Sequence, residues 1–234
     1  MRVCAAPPFA GAHALACDAR WRPHDLLRLR RLPAFDDEPA WVRAAFERAP
    51  YAVVRRALAA EGFVAIGVRG VGRAQRYGAW AQADDIESAV PPEALRQTAP
   101  PAGRAALPPF AALACLRSDA AGPLAGFDWG PTGSAGFELA TRVATVTASS
   151  DLDLLIRTPE PLAHDLAHAL FDQLQALATH AGMRIDAQLE TPVGGVALAE
   201  WAAGKARVMV RGARGPQLIA EPWAAARVTR SGVV

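Results

Sequence analysis

Two aspartates, Asp151 and Asp153, lie one residue apart in the stretch 149–157, SSDLDLLIR, within an apolar run. This run predicts a β-strand over residues 152–156, and a strand points residues i and i+2 to the same face. Two like charges side by side on a mostly buried strand are costly unless something offsets them. Divalent cations can do so, because carboxylates are hard oxygen ligands that suit Mg²⁺ shared with the phosphates of a substrate. The pair therefore indicates phosphoryl or nucleotidyl transfer with Mg²⁺ or Mn²⁺ as cofactor.

A third carboxylate, Asp186, completes this candidate metal site. It lies in the alternating stretch 184–190, RIDAQLE, which predicts a half-buried strand. A helix predicted over 161–182 can return the chain so that this strand lies beside the aspartate strand. We expect Asp151, Asp153 and Asp186 to be metal ligands. Asp186 acts either as the general base for an attacking hydroxyl or as a metal ligand only.

Gly133 and Ser134 introduce another predicted helix, with Ser134 as its N-cap. Backbone N–H groups at a helix start, together with a hydroxyl, can bind a phosphate. The order Gly-Ser, Asp-x-Asp and a third aspartate on a later strand resembles the polymerase-β-type nucleotidyltransferase fold. The sixteen residues between Ser134 and Asp151 are more than most members of that superfamily show. The alternative interpretation is a solvent-facing edge strand preceded by a helix cap, with no chemistry.

Longer stretches of the chain resemble the phosphoribosyl-dephospho-CoA transferases of malonate decarboxylase, also called holo-acyl-carrier-protein synthases. They are TGSAGFELAT from residue 132, VTASSDLDLLIR from 146 and RIDAQLETPVGGVALAEW from 184. RPHDLL at 22–27 and GVRGVGRAQRYG at 67–78 are similar to that family's N-terminal region. The resemblance implies transfer of 2′-(5″-triphosphoribosyl)-3′-dephospho-CoA to a serine of the apo acyl-carrier protein, with release of pyrophosphate. It also implies that Asp151 and Asp153 are catalytic, and Asp186 matches by position.

Composition and charge bound the setting of this chemistry. The chain has 234 residues and is 52% hydrophobic, which predicts a packed core. Its net charge of +2 gives no reason to expect nucleic acid as a partner. No apolar run approaches the roughly 20 residues of a membrane-spanning helix. The cysteines are odd in number and form no C-x-x-C pair, which favours a reduced, cytoplasmic protein. We expect its partners to be the donor and the apo acyl-carrier protein of malonate decarboxylase, and neither nucleic acid nor a membrane.

The pattern of apolar residues predicts an α+β protein with two domains. A small N-terminal α+β domain covers 1–100, and a nucleotidyltransferase-like domain with a mixed sheet and flanking helices covers 110–234, with the proline-rich segment 98–109 as linker. Strands are predicted at 25–30, 51–58, 62–69, 143–147, 152–156, 184–190 and 206–211, and helices at 37–48 and 161–182. The apolar stripe of the helix at 161–182 is predicted to consist of Leu162, Leu166, Leu170, Leu174 and Leu177.

Two other functions remain open at this point. One is a different transferase of the same superfamily, which acts on a protein or a small hydroxylated acceptor. The other is a non-catalytic module that binds nucleotides or neutralises a toxin. Aspartate at all three candidate ligand positions counts against the non-catalytic module.

Overall fold

The computed structural model describes residues 3–8, 16–18, 20–36, 38–72, 74–119 and 121–224. The chain forms two compact units, Met1–Pro91 and Pro92–Val234. Each unit combines helix with its own sheet, which confirms the α+β class. The division falls between Pro91 and Pro92, so the proline-rich segment 98–109 lies within the second unit.

The first unit is a sheet with one α-helix in its described residues. Its elements are β1 (Val3–Cys4), β2 (Leu26–Leu29), α1 (Trp41–Arg48), β3 (Tyr51–Val54), β4 (Phe63–Arg69), β5 (Arg76–Gln82), a 3₁₀ turn (Ala83–Asp85) and β6 (Ile86–Val90). The strand order is β1-β5-β4-β3-β2-β6, with β1 parallel to β5 and the other pairs antiparallel. Helix α1 packs against β4 around Val42 and Ile66, which are fully buried. The predicted start of this helix at Asp37 lies outside the described residues.

The second unit contains the aspartates and a mixed sheet. Its elements are α2 (Pro92–Leu95), α3 (Pro108–Ser118), β7 (Asp128–Pro131), α4 (Gly133–Thr141), β8 (Leu152–Arg157), α5 (His164–Ala181), β9 (Ile185–Glu190), β10 (Gly195–Ala197), α6 (Leu198–Ala202), β11 (Val208–Gly212) and β12 (Gly215–Ile219). The strand order is β12-β11-β10-β9-β8-β7, in which β8 and β9 are parallel and the other pairs antiparallel.

Helix α5 connects the two parallel strands, as a crossover between parallel neighbours requires. Its buried side chains are Ala167, Leu170, Leu174 and Ala178, whereas Leu166 is 51% exposed. The predicted leucine stripe was therefore partly wrong, because Ala167 and Ala178 share the buried face with Leu170 and Leu174, whereas Leu166 does not. Among the described residues, no helix combines the length and the apolar character needed to cross a membrane.

Two local predictions were wrong around α4. The predicted strand at 143–147 is a loop, because the backbone N–H groups of Thr145 and Val146 bond to the Glu138 side chain instead of to a neighbouring strand. Ser134 is not the N-cap, since α4 already begins at Gly133. The strand that pairs with β8 on this side is instead β7, which was not predicted.

The close approach of α2 to β7 depends on Gly130. A β-carbon added there would overlap the backbone carbonyl of Pro92, so one of the two backbones would have to move. We expect Gly130→Ala to lower the free energy of unfolding by about 1–3 kcal/mol, as for other overpacked sites. The midpoint of urea unfolding measures this. Gly72→Ala is the control, because the added carbon meets only the flexible Gln75 side chain at 3.4 Å. An equal effect of both substitutions would contradict the expectation.

Candidate active site

Three aspartates lie at one end of the neighbouring strands β8 and β9. Asp153 is opposite Asp186 in the parallel register, and Asp151 directly precedes the first residue of β8. Paired residues of adjacent strands point to the same face, and the strands are about 4.8 Å apart. The structure therefore brings together the three residues singled out from the sequence, and we call Asp151, Asp153 and Asp186 the three-aspartate edge. Their role in catalysis stays a prediction.

The turn before α4 lies directly on Asp153. The backbone N–H of Thr132 donates to the carbonyl oxygen of Asp153 at 2.8 Å, and a β-carbon on Gly133 would overlap the Asp153 carboxylate. Gly133 also has φ +57°, which favours glycine. Ser134 follows in the first turn of α4. The positive end of a helix dipole thus lies beside a carboxylate, which stabilises its charge.

Arg184 supplies the countercharge that the sequence analysis did not identify. Its Nη2 donates to both carboxylate oxygens of Asp186, at 2.9 and 2.8 Å. These bonds, together with the negative charges of Asp186, Asp151 and Asp153, raise the pKa of Arg184. The guanidinium therefore responds to all three members of the three-aspartate edge. The spacing of Arg184 and Asp186 in the predicted strand 184–190 was a signal for their contact, because residues two apart share a face of a strand. The nearness of Arg184 to Asp151 and Asp153 depends on the pairing of β8 with β9.

The three-aspartate edge offers only carboxylate oxygens, which are the ligands that Mg²⁺ and Mn²⁺ prefer. In this respect the residues fit the cofactor expected from the sequence. Within the described part of the chain, however, no three His, Cys, Asp or Glu side chains are arranged to hold a metal ion. One contact opposes such an arrangement, since the Asp186 carboxylate is bound by Arg184. Asp151 and Asp153 are therefore the first candidate ligands, whereas the Asp186 carboxylate is engaged by Arg184.

Glu138 fixes the segment that leads to Asp151. This carboxylate is fully buried in α4 and forms a two-point ion pair with Arg104. It also accepts the backbone N–H groups of Thr145 and Val146, each at 2.7 Å. One side chain thus holds the loop between α4 and β8 from the inside. A glutamate flanked by apolar residues on a helix, FEL in the sequence, was the signal that could have revealed it.

Opposing effects act on the Glu138 carboxyl. Burial raises its pKa, but the hydrogen bonds from Arg104 and from the N–H groups of Thr145 and Val146 outweigh burial, so the pKa lies below its usual value. The same bond from Arg104 raises the pKa of the guanidinium. The pair is therefore ionised at neutral pH, and both charges depend on each other inside the fold.

An open cleft of about 420 Å³ adjoins the three-aspartate edge. It lies between the C-terminal end of α5 and the loop before β8, and both Asp151 and Arg184 line it. Hydroxyl and amide groups make up much of the remaining lining, from Ser149, Ser150, Gln175 and Thr179. A substrate group or a displaced side chain can therefore reach Asp151 from this side.

Two family models match the chain. The first is described as phosphoribosyl-dephospho-CoA transferase MdcG N-terminal domain and matches residues 22–92. The second is described as phosphoribosyl-dephospho-CoA transferase MdcG C-terminal domain and matches residues 94–222, which include the three-aspartate edge.

Curated relatives match over nearly the whole chain and are named phosphoribosyl-dephospho-CoA transferase. The protein of Pseudomonas aeruginosa (strain PAO1) is 47% identical over 210 residues, which cover 88% of this chain and 95% of the relative. That of Pseudomonas putida (strain GB-1) is 44% identical over 210 residues, with coverage of 87% and 96%. That of Azotobacter vinelandii (strain DJ) is 42% identical over 205 residues, with coverage of 86% and 94%. No solved structure gives a significant match.

The matches define the class of protein first: this is a transferase enzyme. The chain belongs to the phosphoribosyl-dephospho-CoA transferase family, as the resemblance of its motifs implied.

The ion pair of Glu138 makes stability depend on pH. The Glu138 carboxylate accepts four hydrogen bonds, and in Glu138→Gln the amide NH₂ group would face some of those donors. Breaking a buried ion pair lowers the free energy of unfolding by about 3 kcal/mol. Because the folded-state pKa of Glu138 is lowered, its contribution is fully present above the unfolded-state pKa and is lost as the pH falls through the folded-state value. We expect the variant to unfold at lower urea than wild type at neutral pH, and the difference to shrink below about pH 4.

Glu47→Gln is the matched control, because Glu47 is exposed on α1. It should leave the free energy of unfolding within about 0.5 kcal/mol of wild type at every pH. A wild-type advantage over Glu138→Gln that stayed constant down to about pH 3 would contradict the role of the ionised carboxylate.

Proposed function

We propose that this protein transfers 2′-(5″-triphosphoribosyl)-3′-dephospho-CoA to a serine of the apo acyl-carrier protein of malonate decarboxylase. The serine oxygen forms a bond to the α-phosphorus of the donor, the bond from that phosphorus to pyrophosphate breaks, and a phosphodiester remains. One observation supports this above the others: in a chain of this family, the strand register sets Asp153 opposite Asp186 beside the Gly133–Ser134 turn.

The residues of the second unit divide the work of this reaction. The backbone N–H groups at the start of α4 and the Ser134 hydroxyl bind donor phosphate, because a helix start attracts anions. Asp186 accepts the proton of the attacking serine hydroxyl or serves only as a ligand, and the geometry is compatible with either. Asp151 and Asp153 would hold the cofactor, whose charge would offset that of the donor phosphates.

Mg²⁺ or Mn²⁺ is the cofactor that we propose for Asp151, Asp153 and Asp186. When bound, it neutralises charge on the triphosphate and favours ionisation of the attacking hydroxyl. The all-oxygen donor set and the need to offset three carboxylates support this assignment. The cysteines Cys4, Cys17 and Cys115 are free, which agrees with a cytoplasmic location for a protein whose partners are a coenzyme derivative and a carrier protein.

The catalytic role of the aspartates can be tested by isosteric substitution. We expect Asp151→Asn and Asp153→Asn each to abolish transfer, because each removes a ligand charge, while the fold is kept since like-charge repulsion also falls. A gel-shift assay of the carrier protein measures transfer, and circular dichroism monitors the fold. Asp172→Asn is the control, because Asp172 is an exposed residue of α5 paired with His168. Activity within about tenfold of wild type in either site variant would contradict the proposed mechanism.

The choice of donor separates this function from its alternative, another nucleotidyltransferase of the polymerase-β type that acts on a protein or a small hydroxylated acceptor. We expect the triphosphoribosyl donor to be preferred to ATP by at least about a hundredfold, because several donor contacts of about 1–3 kcal/mol each are lost with ATP. Mass spectrometry of the carrier protein after incubation with each donor reads this directly. An AMP adduct that formed as readily as the dephospho-CoA adduct would favour the alternative.

A further inference from the structure

Arg184 is held beside the three-aspartate edge by the backbone. It is the residue immediately before β9, and its carbonyl accepts the N–H of Leu152 at 2.9 Å. This bond joins the starts of the two parallel strands, so the α-carbon of Arg184 lies next to the segment that connects Asp151 to Asp153. The cation is therefore built into the strand pairing.

The side chain of Arg184, by contrast, is free to exchange partners. It is 71% exposed and the Asp186 side chain is 48% exposed. Ion pairs at such exposure contribute only about 0–1 kcal/mol, because water solvates both charges nearly as well. A divalent cation that is shared by several carboxylates attracts Asp186 more strongly than one guanidinium does. The cleft beside Asp151, which Arg184 also lines, has room for the displaced side chain.

We propose that Arg184 is the counter-ion of the three-aspartate edge. Its guanidinium binds the Asp186 carboxylate until a divalent cation takes its place, and the Arg184 side chain then moves into the cleft. This inference rests on the cofactor of the proposed function and adds a residue that regulates its binding. Arg184 lowers the repulsion among the carboxylates while no cation is bound, and it competes with the cation for Asp186. Release of Asp186 also makes its carboxylate available as ligand or base at the moment the cation binds.

A purely structural role for Arg184 makes a different prediction. If its ion pair only fastened the start of β9, removal of the guanidinium would loosen the edge and weaken cation binding. If the Arg184 guanidinium is a displaceable counter-ion, its removal eliminates a competitor for Asp186 and strengthens cation binding. The two roles therefore differ in the sign of one measured affinity.

The test is a titration of the full chain with Mn²⁺ alone, followed by electron paramagnetic resonance of the free ion. We expect Arg184→Gln to bind Mn²⁺ about threefold more tightly than wild type at low ionic strength, in line with the loss of one exposed ion pair. The difference should shrink in about 0.5 M salt, which screens exposed charges. Arg184→Lys keeps the positive charge without the planar guanidinium, so its Mn²⁺ affinity should lie between those of wild type and Arg184→Gln. Asp186→Asn should bind Mn²⁺ more weakly than wild type.

Arg20→Gln is the control, because Arg20 also forms an ion pair with an aspartate two residues away, Asp18, and lies in the first unit. It should leave Mn²⁺ affinity unchanged. Equal or weaker Mn²⁺ binding by Arg184→Gln would overturn the counter-ion role. If wild type binds no Mn²⁺ at millimolar concentration, the cofactor part of the proposed function fails. In that case, Mn²⁺ binding by Arg184→Gln alone would still support competition between Arg184 and the cation. The absence of Mn²⁺ binding in both proteins would overturn the counter-ion role.

Discussion

The repulsion among three carboxylates at the start of two parallel strands is the constraint on which the second unit depends. The register that sets Asp153 opposite Asp186 cannot be relaxed, because a shift by one residue would turn the apolar side chains of β8 away from the core. The charges must be offset where they lie. The structure does this from two sides, with the start of α4 against Asp153 and the guanidinium of Arg184 on Asp186.

The loop from α4 to β8 is held by a buried ion pair, whereas the charges of the three-aspartate edge are offset by an exposed one. Asp151 needs a fixed approach, yet the segment before it forms no strand, so its N–H groups need other acceptors. The buried Glu138 provides them and is itself neutralised by Arg104 from the proline-rich segment. A buried ion pair gives little net stability over an apolar pair, but it specifies one arrangement of the chain. Here the ion pair of Glu138 fixes the course of the segment that leads to Asp151. The exposed ion pair between Arg184 and Asp186, by contrast, can break and re-form.

Local patterns in the sequence predicted the parts of the site that local rules control. The apolar run around Asp151 and Asp153, the alternation around Asp186 and the helix between them gave the correct neighbouring strands. The predicted strand at 143–147 was wrong because β-branched residues favour a strand only where a partner strand accepts their bonds. Glu138 was missed because its ion-pair partner, Arg104, is 34 residues away in the sequence. Arg184 was missed because its nearness to Asp151 and Asp153 follows from the pairing of β8 with β9. The assignment of catalytic and metal-binding roles came from chemistry and resemblance, and it stays a prediction.

The position of the Gly133 turn can be traced to the contact between α2 and β7 at Gly130. Strand β7 forms one edge of its sheet, and an edge strand has a single neighbour to define its course. Helix α2 supplies a second constraint, since Pro92 packs against Gly130 and Glu93 forms an ion pair with Arg157 of β8. With β7 held from both sides, the chain enters the turn at Thr132 in reach of the Asp153 carbonyl. A glycine that allows two backbones to touch thus sets the helix start against the carboxylate, and fold and site depend on the same packing.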